Sequence, residues 1–238
     1  MSNVRPGTPA SAAPAGITLA PAAPAGALAS SRLKRLVRSS AVAAVATEPE
    51  EHCELCNRPI PSAHRHLLEL SSRELICACR PCSLLFDRGG ASNGRYKLVP
   101  ERRLRLEGFA LSEQAWEELR VPVEMAFFFH SSAAERVLAF YPGPMGPTES
   151  QLELSSWQEL ERANPILGEL EPDVEALLVN RARAARGQWL VPLDDCYSLV
   201  GLIRTHWRGL TGGAQVWREI DSFFTELDRR ARGTTARR

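Results

Sequence analysis

CELCNRPIPSAHRHLLELSSRELICACRPC, residues 53–82, decides how the folded part of this chain begins and what chemistry it can carry. Five of the six cysteines fall in it, and three of the five histidines (His52, His64, His66) lie in it or beside it. Two Cys-x-x-Cys pairs bracket the stretch, Cys53/Cys56 and Cys79/Cys82. Each pair makes a tight turn whose sulfurs face one point. Two such turns supply four thiolates in the tetrahedron that Zn²⁺ prefers. Between them, HRHLLEL (64–70) and RELICAC (73–79) read as two strands, with Ser71-Ser72 as the hairpin turn. Knuckle, hairpin, knuckle is the logic of a zinc ribbon, so Cys53, Cys56, Cys79 and Cys82 are the expected metal ligands.

The other donors of the stretch leave alternatives. Cys77 shares a strand face with Cys79, so it can replace Cys79, support a second metal or pack; packing is the expectation. His64 and His66 also share a face and are candidate additional ligands. Four thiolates already fill a tetrahedron, so a supporting or surface role is expected for the pair. Thiolates suit iron as well as zinc. Iron sites with two such knuckles are typically Gly-rich after the second cysteine. Here Asn57-Arg58-Pro59 and Ser83-Leu84 follow, so zinc is expected and iron is the alternative.

Composition bounds the rest. The 238 residues are 44% hydrophobic and 24% charged, which suits a soluble globular chain with one sizeable domain and a small one. Net charge is +1, spread as +3 over residues 1–50 (five basic, two acidic), +4 over 51–106 (ten and six) and −6 over 107–238 (fourteen and twenty). That gradient is too weak for the dense basic stripe of a strong phosphate binder, and the acidic body argues against nucleic acid. Paired Cys-x-x-Cys clusters favour metal and a reducing cytoplasm over disulfides. The uncharged run Pro6–Ser31 is broken by prolines and glycines and is mostly Ala, so neither an export signal nor a membrane span is expected.

Three segments follow: a disordered Ala/Pro-rich tail with a short basic segment (1–50), a zinc-ribbon-like metal module (51–94) and an α+β domain (95–238). The fold class expected is α+β, with a mixed, mainly antiparallel sheet and helices after the small four-cysteine module. CSLLFDR (82–88) reads as one or two helical turns and GGASNG (89–94) as a loop. RYKLVP (95–100) and RLRLEGFAL (103–111) read as strands, with Gly108 a bulge. Ser112 caps a helix through Leu119. VPVEMAFFFH (121–130) and ERVLAFYPG (135–143) form an antiparallel hairpin, and GPMGPTES (143–150) is a loop. Ser155 or Ser156 caps a helix ending before Pro165. EPDVEALLVNRARAA (171–185) reads as a helix, QWLVPL (188–193) as a strand, and Asp194 or Asp195 as the cap of YSLVGLIRTHW. AQVWREIDSFFTELDRRAR (214–232) is a long amphipathic helix with Val216, Trp217, Ile220, Phe223, Phe224 and Leu227 on its buried stripe.

Catalysis finds little support. Cys196 and His206 sit ten residues apart on one expected helix, about 15 Å along its axis, too far for a nucleophile–base pair. Cys196 is expected to pack. Asp173, Glu175, Asp194 and Asp195 are explained by helix caps and first turns. The GPMGPT loop lacks the lysine of a phosphate loop.

The stretches CELC, HRHLLEL, CACRPC, VPVEMAFFFH, FYPGPMGPTES, EPDVEALLVNRAR and VPLDDCYSLVGLIRTHWRG carry a likeness that spans residues 52–230. The chain resembles an uncharacterised actinobacterial family whose members are encoded beside high-affinity nickel–iron uptake hydrogenases. The resemblance implies a setting rather than a mechanism: an accessory role in hydrogenase assembly or electron transfer, with a hydrogenase subunit or maturation protein as partner. The expected function is a non-catalytic metal-binding accessory protein. A rubredoxin-like iron carrier and a zinc-ribbon nucleic-acid binder are the alternatives.

Overall fold

A computed structural model describes residues 51–87 and 89–231. The expectations for the N-terminal tail, its basic segment 31–40 and the last residues lie outside the described residues. All of the described residues belong to one compact unit.

The unit opens with a two-stranded ladder, β1 (Glu51–His52) and β2 (Pro59–Ile60), that carries the first knuckle. The hairpin follows as expected: β3 (Arg65–Glu69) pairs antiparallel with β4 (Glu74–Ala78). Arg73 closes the turn in the left-handed region, φ 61°. Helix α1 (Arg80–Asp87) starts two residues before Cys82, with Pro81 in its first turn, where a missing N–H costs nothing. Gly89–Ser92 is a further helical turn rather than the expected loop. Strand β5 (Tyr96–Leu98) then joins the other edge of β3, giving the order β4-β3-β5.

The second sheet has six strands, in the order β6 (Leu104–Arg105), β11 (Gly187–Pro192), β10 (Glu175–Asn180), β7 (Met125–Ser131), β8 (Arg136–Gly143) and β9 (Gly146–Ser150), every pair antiparallel. The hairpin of β7 (Met125–Ser131) and β8 (Arg136–Gly143) is where the sequence placed it. β11 (Gly187–Pro192) is the expected strand QWLVPL. β6 is only Leu104–Arg105; the chain turns at Gly108, φ 73°, so the longer strand 103–111 does not form. The expected loop 143–150 instead supplies β9 (Gly146–Ser150), which pairs with β8 from Ala139↔Ser150 to Gly143↔Gly146.

The largest correction is residues 171–185, expected as a helix. They contain β10 (Glu175–Asn180), an interior strand with all six residues buried. Its two faces feed two cores: Ala176 and Leu178 join one, Leu177 and Val179 the other. A strand covered on both sides has no polar alternation, so its apolar run imitates a buried helix.

Helices cover both faces of this sheet. On one side, α2 (Glu113–Glu118) and α3 (Leu154–Ala163) bring Trp116, Trp157 and Leu160 against Ala126, Phe128 and Leu177. Ser112 caps α2 by accepting from the Ala115 N–H at 3.0 Å, as expected. No serine caps α3; Glu153 holds that position without a side-chain bond. On the other side lie α4 (Leu193–His206) and α5 (Gly213–Ala231), whose Leu199, Ile203, Ile220 and Phe224 meet Phe127, Phe129 and Leu178. Pro192, not an aspartate, precedes α4; Asp194 and Asp195 fall in its first turn, facing its N-terminal dipole favourably.

Candidate metal centre

The first knuckle is built by backbone. The Cys53 N–H donates to the Arg58 carbonyl at 2.8 Å, and the Asn57 N–H donates to the Cys53 carbonyl at 2.7 Å. Asn57 adopts φ 56°, a left-handed turn that Asn tolerates in place of Gly. The second knuckle runs off the end of β4 into α1, where the Ser83 N–H donates to the Cys79 carbonyl at 2.9 Å. Two bonds join the halves: the Glu54 N–H reaches the Cys77 carbonyl, and the Cys77 N–H reaches the Glu54 carboxylate, each at 2.9 Å.

This brings the sulfurs of Cys53, Cys56, Cys79 and Cys82 within 4.8 Å of one another. The Cys56–Cys79 pair is 3.7 Å apart. A tetrahedron with metal–sulfur bonds of about 2.3 Å has edges of about 3.8 Å. A disulfide would need about 2.05 Å. The cage therefore fits a tetrahedral ion and is not a pair of bridges; all six cysteines are free thiols. Cys53, Cys79 and Cys82 are buried, and Cys56 is exposed at the mouth.

The electrostatics suit a thiolate cage. Burial pushes the Cys53 thiol up, but hydrogen bonding from the backbone at Cys79, Leu55 and Cys56 brings it down to about 6. Cys82 goes the other way: burial and hydrogen bonding to the neighbouring sulfurs hold its proton. Four thiols this close cannot all ionise without a cation among them, which is the condition a metal satisfies.

Cys77 does not point into this cage. It lies opposite His66 in the β3–β4 register, and its sulfur and one ring nitrogen each of His64 and His66 lie within 4.8 Å of one another. Cys77 is half-buried against the small ribbon core, as the packing expectation had it, but it also faces two imidazoles. Burial, then the negative fields of Glu54 and Glu51, pushes its thiol up. The histidines are held from outside: His64 Nδ1 lies 3.1 Å from Glu51 Oε2, and His66 Nδ1 lies 3.1 Å from Asp194 Oδ2. Sequence reasoning missed both carboxylates as histidine partners. Asp194 is 128 residues from His66, and no local pattern joins them.

Of the acidic residues assigned to helix starts, Asp194 and Asp195 keep their first-turn place, whereas Asp173 and Glu175 do other work. Glu175 opens β10 and takes two hydrogen bonds from Arg102, at 2.9 and 2.6 Å. Asp173 accepts from the Ser132 N–H at 2.8 Å and ties β10 to the β7–β8 turn. Asp195 is gripped by Arg103 at 2.6 and 2.9 Å. Cys196 is fully buried, as expected, with its thiol raised by burial and by the charges of Asp195 and Asp194. None of these forms a nucleophile–base pair.

No helix among the described residues is long and apolar enough to cross a membrane. A family model described as a family of unknown function (DUF5947) matches residues 52–231, a span that begins at the first knuckle and ends with α5. No curated protein and no solved structure matches the chain.

Proposed function

This chain belongs to the DUF5947 family, and we propose that it is a non-catalytic metal-binding accessory protein that acts through protein–protein contacts. The observation that carries the reading is the convergence of four cysteine sulfurs within 4.8 Å on two backbone-built knuckles. A closed four-thiolate site has no open coordination position, so the ion supplies folding energy rather than chemistry. Zn²⁺ is the proposed occupant. The likeness to hydrogenase-linked proteins supports a partner of that kind, a nickel–iron hydrogenase subunit or maturation factor in the cytoplasm.

A second reading has its own support. Backbone hydrogen bonding that lowers the Cys53 thiol is what an iron–thiolate carrier also uses, and Asn57 supplies the turn that glycine supplies elsewhere. Elemental analysis of the purified chain with its visible spectrum separates the two. A colourless protein with zinc supports the first; a red protein with iron supports the second. Cys53→Ser or Cys82→Ser should lose the ion, whereas Cys196→Ser should keep it. Unchanged metal in both knuckle variants would sink the site. Co-purification with a hydrogenase subunit tests the partner separately.

A further inference from the structure

Outside the four-cysteine cage, a second set of donors converges at the open end of the β3–β4 ladder. We propose that His64, His66 and Cys77 form a second, distinct site for a borderline divalent transition metal of the Zn²⁺/Co²⁺ class. Two imidazoles and one thiolate are bound from the protein, and one position is open to an outside ligand.

The hydrogen-bond roles fix which nitrogens are available. His64 Nδ1 lies 3.0 Å from the Pro61 carbonyl and 3.1 Å from the Glu51 carboxylate. Both groups only accept, so Nδ1 carries the proton and the lone pair sits on Nε2. That Nε2 is buried and has no hydrogen-bond partner among the described residues, on a side chain only 6% exposed. A buried acceptor without a donor is costly and uncommon. His66 repeats the pattern: Nδ1 is held by Asp194 Oδ2 at 3.1 Å, again an acceptor, which leaves its Nε2 lone pair unassigned. Each ring therefore has a carboxylate behind it and a free nitrogen in front, the arrangement by which proteins orient and strengthen metal-bound histidines.

Position and charge agree. The rings stand edge to face with centroids 4.7 Å apart, and Cys77 is the cross-strand partner of His66. Asp194 has a second oxygen, Oδ1, that is buried with no hydrogen-bond partner among the described residues. A buried carboxylate in that state calls for positive charge nearby, which an ion on the far side of His66 supplies. Glu51 and Glu54 add two further negative charges at the rim. Imidazole and thiolate donors select zinc-like ions over Mg²⁺ or Ca²⁺. Three protein ligands rather than four leave the coordination open, the distinction between an exchangeable or reactive site and a structural one.

The test is metal stoichiometry of the full chain, stripped by chelator under reducing conditions and titrated with Co²⁺, read by absorption. The expected result is two equivalents per chain. His66→Ala and Cys77→Ser should each take up one, with the four-sulfur charge-transfer spectrum intact; that spectrum doubles as proof that the ribbon still folds. Nitrogen NMR of the unmutated chain with Zn²⁺ provides a second measurement. Nε2 of both His64 and His66 should shift on the second equivalent, with Nδ1 remaining protonated. Saturation at one equivalent with a four-sulfur spectrum would overturn this site and leave the cysteine cage standing. No uptake at all would overturn both. Two equivalents in every variant, or imidazole signals indifferent to the second ion, would also refute it.

Discussion

The same substitution, Gly→Ala, should act with opposite signs at two positions of the body. Gly187 begins β11 and Trp189 lies two residues on, on the same face. A Cβ at Gly187 would stand 2.0 Å from Trp189 Cη2, 2.6 Å from Cζ3 and 2.7 Å from Cζ2. Carbon atoms rest at about 3.5–4.0 Å, so the indole would have to retreat by roughly 1.5 Å. It has nowhere to go. Its ring stacks on Phe224 at 5.0 Å, Nε1 donates to Asp228 Oδ1 at 2.9 Å, and the Arg105 guanidinium lies over it at 5.4 Å. Overpacking costs about 1–3 kcal/mol. Losing the indole hydrogen bond adds about 1 kcal/mol and disturbing the stack about 0.5–1.5 kcal/mol. Gly187→Ala should therefore destabilise by about 3–5 kcal/mol. Gly201 lies exposed in the middle of α4, and a Cβ there meets nothing within 4 Å. Gly201→Ala should stabilise by about 0.5–1 kcal/mol through helix propensity. Urea unfolding followed by far-UV circular dichroism reads both as midpoint shifts at constant slope. A Gly187→Ala midpoint at or above wild type, or a Gly201→Ala midpoint clearly below it, would refute the packing described for this face.

Asp195 is 5% exposed and holds Arg103 and, at 3.3 Å, Arg230 near the end of α5. Asp195→Ala strands a nearly buried guanidinium and should cost about 3–5 kcal/mol in the same urea assay, with Asp195→Leu/Arg103→Met recovering much of it. Glu69 has its carboxyl held below the usual range by the hydrogen bond from Arg95, against burial, with help from Ser72 and Ser71. A lowered folded value means the contribution is present above the unfolded value of about 4.3 and is lost as pH falls through the folded one. The stability gap between wild type and Glu69→Gln should accordingly shrink below about pH 4.3; a gap that stays flat across the acid range would contradict the ion pair. Chelation of the cysteine cage should remove hydrogen-exchange protection from residues 53–60 and 76–86 while β7, β10 and β11 keep theirs, and equal loss across both sets would show that the ion holds the whole unit.

The parts of the fold that were legible in sequence are those whose signal is local. Cys-x-x-Cys spacing marks both knuckles because a tight turn is all that is needed to aim two sulfurs. The β7–β8 hairpin and the stripe Val216–Ile220–Phe224–Leu227 of α5 follow from patterns within one element. What was not legible depends on neighbours. EALLVN became a strand because layers on both sides bury it, and the Glu-Pro-Asp start signal before it became a turn with Asp173 at φ 68°. GPMGPTES became an edge strand, with Pro147 opposite Pro142 where neither needs to donate to an interior ladder. At the candidate site, the donor types could be read but not their grouping. Cys77 looked like a companion of Cys79 by strand parity, yet Cys79 lies past the strand end and the β3–β4 register delivers Cys77 to His66.

Strand β3 shows where an ion at the four cysteines would act. Its residues alternate between two environments: Leu67 enters the ribbon's own cluster, and Leu68 enters the core beneath the six-stranded sheet. The ribbon cluster contains six buried residues, three of them cysteines. So small a cluster offers little apolar surface to order two knuckles and a helix, and the proposed ion would add to it. The opposite face needs no such help, since Leu68 and Val99 share the core of Phe127, Leu178 and Ile203, and Lys97 donates to the Pro172 carbonyl at 2.7 Å. A metal held by the four cysteines, as proposed, would thus stabilise only the outer half of the module. The inner half is fixed by the body, and it is this half that sets His66 against Asp194. An ion at the cysteines would bear on the ladder from the ribbon side, while Asp194 of α4 holds an imidazole from the body side. His64, His66 and Cys77 lie between the two, which places the proposed open site where module and body meet.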